Sequence, residues 1–151
     1  GEEVTHDALQ LTAAGIGLVW MGMVLGISFI EAPLKFRAPG ITTELGLGIG
    51  QIVFRALNAC ECVLAAIVAF ATLASLSEGF GSPLLLSAVI VLVVQLAIVR
   101  PLLRRRSRHV LEHGAGTSRS LQHLWYVALE ALKVILLAAG CIVTLAGFAG
   151  A

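Results

Sequence analysis

Charge is scarce in this chain. Only 13% of its 151 residues are Asp, Glu, Lys or Arg, while 58% are hydrophobic and the mean hydropathy is +0.97. A soluble domain carries roughly a quarter charged residues, so a water-soluble fold is excluded and an integral membrane protein is expected. No stretch remains that could form a separate soluble domain. Four apolar runs, each of about 18 residues or more and able to cross a hydrocarbon layer of about 30 Å, use nearly the whole length. Cysteine is sparse as well. Cys60, Cys62 and Cys141 are odd in number, and C-x-C is neither a redox nor a zinc-knuckle spacing, which argues against a disulfide framework and reads them as small core residues. The N-terminal GEEVTHDALQ is acidic rather than basic, and the run after it lacks a small-residue cleavage site. The first run is therefore expected to stay in the protein as a helix rather than be removed as a signal peptide.

What is present predicts an all-α fold, an integral membrane four-helix bundle formed as a single domain over residues 1–151. The spans are expected at about 9–30, 46–76, 83–100 and 121–148. Gly22-x-x-x-Gly26 in the first span is a spacing that lets another helix approach its backbone, and so marks a packing face. Pro33, Pro39 and Gly40 are expected to break the first helix, and Thr42 or Thr43 can cap the second, with Glu44 near its positive end. Pro83 suits the first turn of the third span. Pro101 ends or kinks that span, and Gly114 and Gly116 mark the break before the fourth.

The charges lie on one side. Of ten Lys and Arg, Arg100, Arg104, Arg105, Arg106, Arg108 and Arg119 fall at the 101–120 connection, Lys35, Arg37 and Arg55 at the 31–45 connection, and Lys133 inside a span. Glu2, Glu3, Asp7 and Glu78 fall on the other side. The positive-inside rule then places both connections in the cytoplasm and both termini and the 77–82 turn outside, an N-out/C-out topology in the cytoplasmic (inner) membrane. The Arg104–Arg106 run directly follows a span, so orientation and contact with anionic lipid account for it and no nucleic acid is expected as a partner.

Two apolar helices nevertheless carry a polar face. At 100° per residue, Gln51, Arg55, Asn58 and Cys62 fall in one narrow stripe with Glu61 at its edge, and Arg119, His123, Tyr126, Glu130 and Lys133 share one face of the fourth span. Gln95 approaches from the third span at the shallower level of Arg55 and Tyr126. The second and fourth spans run parallel, so counting from their starts puts Glu61, Glu130 and Lys133 near the midplane at similar depth. Arg55, Glu61, Glu130 and Lys133 sum to zero charge, which points to pairing, because even a single central ion costs about 2.5–3.5 kcal/mol. Two carboxylates around one Lys133 ammonium leave one acid holding a proton. The expected ligand or ion pathway is thus Arg55, Asn58, Glu61, Gln95, His123, Tyr126, Glu130 and Lys133, with Glu31, Lys35 and Arg37 as a separate loop motif. The bland alternative is interhelical glue.

Phe29-Ile-Glu-Ala-Pro-Leu-Lys-Phe, Ala38-Pro-Gly, Gly50-Gln-Ile-Val-Phe and His123-x-x-Tyr126-x-x-x-Glu130-x-x-Lys133 resemble the small four-helix membrane family typified by transmembrane protein 205. That resemblance spans most of the chain; it implies a four-helix membrane fold and a suggested role in handling small toxic compounds, and carries over no catalytic residues. Asn58-Ala-Cys-Glu61 is similar to part of the second-helix motif of the membrane-associated eicosanoid and glutathione metabolism family, which would imply a glutathione-type transferase. Arg55 stands one residue closer to Asn58 than that motif has it, and the third span has no matching Arg-Tyr pattern. His109-Val-Leu-Glu112-His113 matches the H-x-x-E-H zinc string, but Arg108 and Glu112 already form an ordinary i, i+4 pair, so His109 and His113 are weak metal candidates only. The function expected is binding or passage of a small solute, proton or ion through the polar cluster, with a transferase or a structural subunit of a larger membrane complex as alternatives. The sequence names no cofactor, and a homo-oligomer stays open.

Overall fold

Runs of Leu, Ala, Val and Ile interrupted by few prolines produce long helices, and the computed structural model of the protein shows them over its described residues, 1–76, 83–99 and 121–149, apart from the side chains of 2, 76, 98, 99 and 121–124. In chain order these are α1 (Glu2–Val24), π-helical turns at Leu25–Glu31, a one-turn α2 (Ala32–Lys35), α3 (Thr43–Leu76), α4 (Pro83–Val94) continued by a π-helical turn at Gln95–Val99, and α5 (Leu121–Ala149). No strand occurs among the described residues. Among the described residues three helices, Glu3–Lys35, Thr43–Ser75 and Trp125–Ala149, are long and apolar enough to cross a membrane, and the described part of the remaining rod includes the apolar segment Pro83–Ala97.

Pro33 does not break the first rod as expected. The helix widens to π geometry before it, with the Ala32 N–H bonded to the Ile27 carbonyl five residues back. Pro33 then enters at the start of α2, where a missing N–H does no harm. The break comes at 36–42 instead, where Gly40 has φ +80°, a left-handed conformation that favours glycine. Thr42 caps α3: its Oγ1 accepts from the Leu45 N–H at 3.1 Å, and Glu44 lies in the first turn. Pro83 opens α4 as expected. Arg100, Pro101 and the whole 101–120 connection lie outside the described residues.

The α1 rod packs between α3 and α5, and α4 packs between the same two on the opposite side. Contacts fix the directions. Cys141 Sγ donates to the Ala14 carbonyl at 3.3 Å while Ser28 meets Glu130, so α1 and α5 are antiparallel; Phe54 meets Tyr126 and Glu61 meets Lys133, so α3 and α5 are parallel. The bundle therefore has a link end, carrying 36–42, and a far end.

The core contains Trp20, Val24, Val68, Leu85, Ala88 and Leu137. The outward faces are apolar too: Leu18, Ile52, Phe70, Ile90, Ile135 and Ile142 are all exposed. Close helix approach is made at glycines other than those expected. A Cβ on Gly22 or Gly26 would meet nothing within 4 Å, whereas one on Gly140 would lie 2.7 Å from Leu85 Cδ2 and 3.2 Å from its backbone nitrogen, and one on Gly17 would lie 2.8 Å from Cys141 Sγ. The packing face of α1 is therefore the Gly17 face. Of the cysteines, only Cys141 is a core residue; Cys60 and Cys62 are exposed on the outer side of α3.

Candidate functional site

Lysine is the least expected side chain in an apolar interior, and Lys133 is fully buried on the bundle axis. An ammonium has three protons to donate, and each finds an oxygen: Glu61 Oε1 at 2.5 Å, Glu130 Oε1 at 2.6 Å and Gln95 Oε1 at 2.7 Å. Those acceptors come from α3, α5 and the π turn that ends α4. Glu130 is held further, its Oε1 accepting from Gln95 Nε2 at 2.8 Å and its Oε2 from Ser28 Oγ at 2.7 Å. Glu61 Oε1 also accepts from the Trp20 indole N–H at 2.8 Å. All four rods thus contribute a polar group to one point. Glu61, Glu130, Lys133 and Gln95 are each at most 2% exposed.

The satisfaction is complete except on one side. Glu61 Oε2 is buried and has no hydrogen-bond partner, and the same holds for the amide nitrogen of Asn58, one helical turn nearer the link end and itself 7% exposed. An unpaired polar group in a low-dielectric interior costs about 1–3 kcal/mol, and more if charged. Below Asn58 toward the link end, Phe54 and Tyr126 meet edge to face, ring centroids 6.0 Å apart and planes at 89°.

The structure redistributes the residues expected at the site. Glu61, Gln95, Glu130 and Lys133 converge, and Asn58 and Tyr126 are buried beside them. Gln95 was expected at the shallower level; it bonds Glu130 and Lys133 directly and only at 3.5 Å approaches the Tyr126 carbonyl. Arg55 does not take part: it is exposed. The buried face of α3 runs through Leu57, Glu61, Ala65, Val68 and Thr72, roughly a quarter turn from the stripe drawn through Gln51, Arg55 and Cys62, and Glu61 lies at its centre. The four-charge neutral set is accordingly a three-charge set with one carboxylate in excess.

Glu31 and Lys35 pair at 3.7 Å near the link end, with Lys35 Nζ 5.7 Å from the Phe36 ring centroid and Arg37 exposed, all separate from the cluster. His123 lies on α5 with its side chain outside those described, and Arg119, His109, Glu112 and His113 fall outside the described residues.

Two contributors were not expected, Trp20 and Ser28. Both sit in a rod read from its glycines alone, and neither residue type interrupts an apolar pattern. Ser28 lies in the π-helical turns before Pro33, which set it against Glu130. Comparison of the chain with protein-family models, with curated proteins and with solved structures found no match.

Proposed function

We propose that the chain is an integral membrane four-helix bundle of the cytoplasmic membrane, oriented N-out/C-out, whose buried cluster binds or passes a proton, ion or small solute. Apolar outer faces on three helices of spanning length support the membrane reading, and the Lys and Arg at the 31–45 and 101–120 connections support the orientation. The resemblance to the four-helix family typified by transmembrane protein 205 agrees with this fold and location.

The observation that carries the site is the charge balance. Two carboxylates share one ammonium where none is more than 2% exposed, so one further positive charge completes neutrality. A buried charge left uncompensated is expensive, and a site short of one positive charge takes one up. Such groups in the middle of membrane helices mark ion and proton pathways.

Flux of protons and of small ions into liposomes holding the purified chain tests this, with Glu61→Gln and Glu130→Gln as variants. Lost flux with retained folding supports the reading. No flux from the unaltered chain, together with unfolding of either variant, identifies the cluster as interhelical glue and refutes it. The glutathione-transferase alternative needs Arg55, Asn58 and Glu61 on one ligand; with Arg55 exposed, that set would have to close across a subunit boundary, and absence of glutathione binding in detergent removes it. A stoichiometric partner on purification would favour the structural-subunit reading.

A further inference from the structure

We infer that the species taken up is a proton, that it resides on Glu61 Oε2, and that it arrives from the link end through a water molecule held between Asn58 and Glu61. This rests on the reading of the cluster as a site for one added positive charge and narrows that reading to one ion, one atom and one direction.

The two oxygens of Glu61 differ. Oε1 is engaged by Lys133 and Trp20, whereas Oε2 has no partner. The Asn58 amide nitrogen, three residues earlier on the same face, has none either. Side chains at i and i+3 have Cβ atoms about 5–6 Å apart, a spacing that one water can span. The amide N–H donates to the water oxygen, and a water proton is donated to Oε2. A buried water needs at least two polar partners, and here it has two that lack any other.

The same surroundings disfavour a metal cation. Intramembrane cation sites recruit unwound backbone carbonyls; the π-helical turns here lie beside Glu130, at Ser28 and Gln95, whereas the backbone that carries Glu61 is continuous helix from Thr43 to Leu76. No three His, Cys, Asp or Glu side chains converge on a metal-sized site among the described residues. A proton needs only the one free oxygen.

The groups that meet at the cluster from each neighbouring rod are few, and Lys133 and Trp20 are the ones that bond Glu61. From α5 come Glu130 and Lys133; from α1 come Trp20 and Ser28 and from the end of α4 comes Gln95, none of which is charged. Among the described side chains Tyr126, toward the link end, is the next titratable group, and Arg55 faces away. Toward the far end the axis is filled next by Ala65, Val68, Leu85, Ala88 and Leu137, which offer a proton no carrier, and the nearest buried hydroxyl on α3 in that direction, Thr72, lies about three turns away. Toward the link end, among the described residues, the Phe54–Tyr126 layer and Leu57 intervene, and a phenol can carry a hydrogen bond across that layer. In the transfer, the bridging water releases a proton to Oε2 and receives one from the link-end side. The Glu61 carboxylate becomes a neutral acid, and release runs the same steps backward.

Infrared spectroscopy of the full chain in lipid bilayers, switched from H2O to D2O, reads this directly. A carboxylic acid C=O band lost in Glu61→Gln is expected, and its deuterium shift should slow roughly tenfold in Asn58→Leu. Asn58→Leu exchanges a side chain with an unpaired N–H for an apolar one of similar size and should fold. Asn58→Ser, which keeps a hydroxyl for the water, should exchange near the rate of the unaltered chain. An acid band that survives Glu61→Gln, an Asn58→Leu rate equal to that of the unaltered chain, or sodium-dependent stabilisation lost in Glu61→Gln overturns the inference. The two proposals fail separately. An exchanging Glu61 band without transmembrane flux sinks conduction and leaves the proton site, while sodium flux without that band sinks the proton site and leaves conduction.

Discussion

Replacing Lys133 by methionine removes the one cation of the cluster and keeps most of its volume. Three donated hydrogen bonds, at 2.5, 2.6 and 2.7 Å, are lost, and the two carboxyl groups stay behind in the interior without their shared ammonium. Removing one partner of a buried ion pair costs about 3–5 kcal/mol, which for a chain of this size lowers the unfolding temperature on the order of 10 °C. A second substitution should recover part of this, and the structure ranks the two choices. Without Lys133, Glu130 still accepts from Gln95 and Ser28, while Glu61 keeps only the Trp20 N–H. Lys133→Met with Glu61→Gln should therefore regain about 1–3 kcal/mol of coupling energy, and Lys133→Met with Glu130→Gln roughly half as much or less. Thermal unfolding of the three variants and the unaltered chain in one detergent measures the series. Double variants no more stable than Lys133→Met, or a larger recovery from Glu130→Gln, would falsify the argument from unequal partners.

Three further outcomes are expected. Gly140→Val should lower stability by about 1–3 kcal/mol because its side chain meets the Leu85 backbone, while Gly22→Ala should be neutral or gain up to about 1 kcal/mol in helix propensity; equal effects in a denaturation series would mean the glycine faces are wrongly assigned. Phe54→Ala opens the edge-to-face layer at the link end and should accelerate deuterium exchange at Glu61 roughly tenfold, so an unchanged rate places the access route elsewhere. In oriented vesicles of a variant with Cys60, Cys62 and Cys141 replaced by Ala, a cysteine at Ser77 should react with an impermeant thiol reagent from outside and one at Ser107 only from inside; the reverse pattern refutes the orientation.

How much of this could be read in the sequence differs between helices for a physical reason. In α5 the polar residues are few and lie on one face inside an unbroken apolar run, so Tyr126, Glu130 and Lys133 could only face inward. In α3 Gln51 and Arg55 say less than Glu61 about which face is buried. A long charged side chain near a helix end can reach the interface and so says little about which face is buried, whereas a carboxylate near the middle has no such escape. Trp20 and Ser28 were hidden because each is tolerated on an apolar face whether or not it donates to anything. The glycine spacing misled for a related cause: Gly22 and Gly26 permit a close approach that no neighbour makes, and Gly17 and Gly140 are used because Leu85 and Cys141 happen to lie opposite. Pro33 was read as a stop because an α register was assumed; one turn of π geometry supplies a place for it.

The length of the first rod bears on how this protein would sit among lipids. At 33 residues it reaches about 50 Å, against a hydrocarbon thickness of about 30 Å. In a bilayer such a rod tilts or protrudes. Ser28 lies in its π-helical turns and holds Glu130. Acyl-chain length thereby becomes a mechanical variable acting on the grip at Glu130 through the tilt of α1.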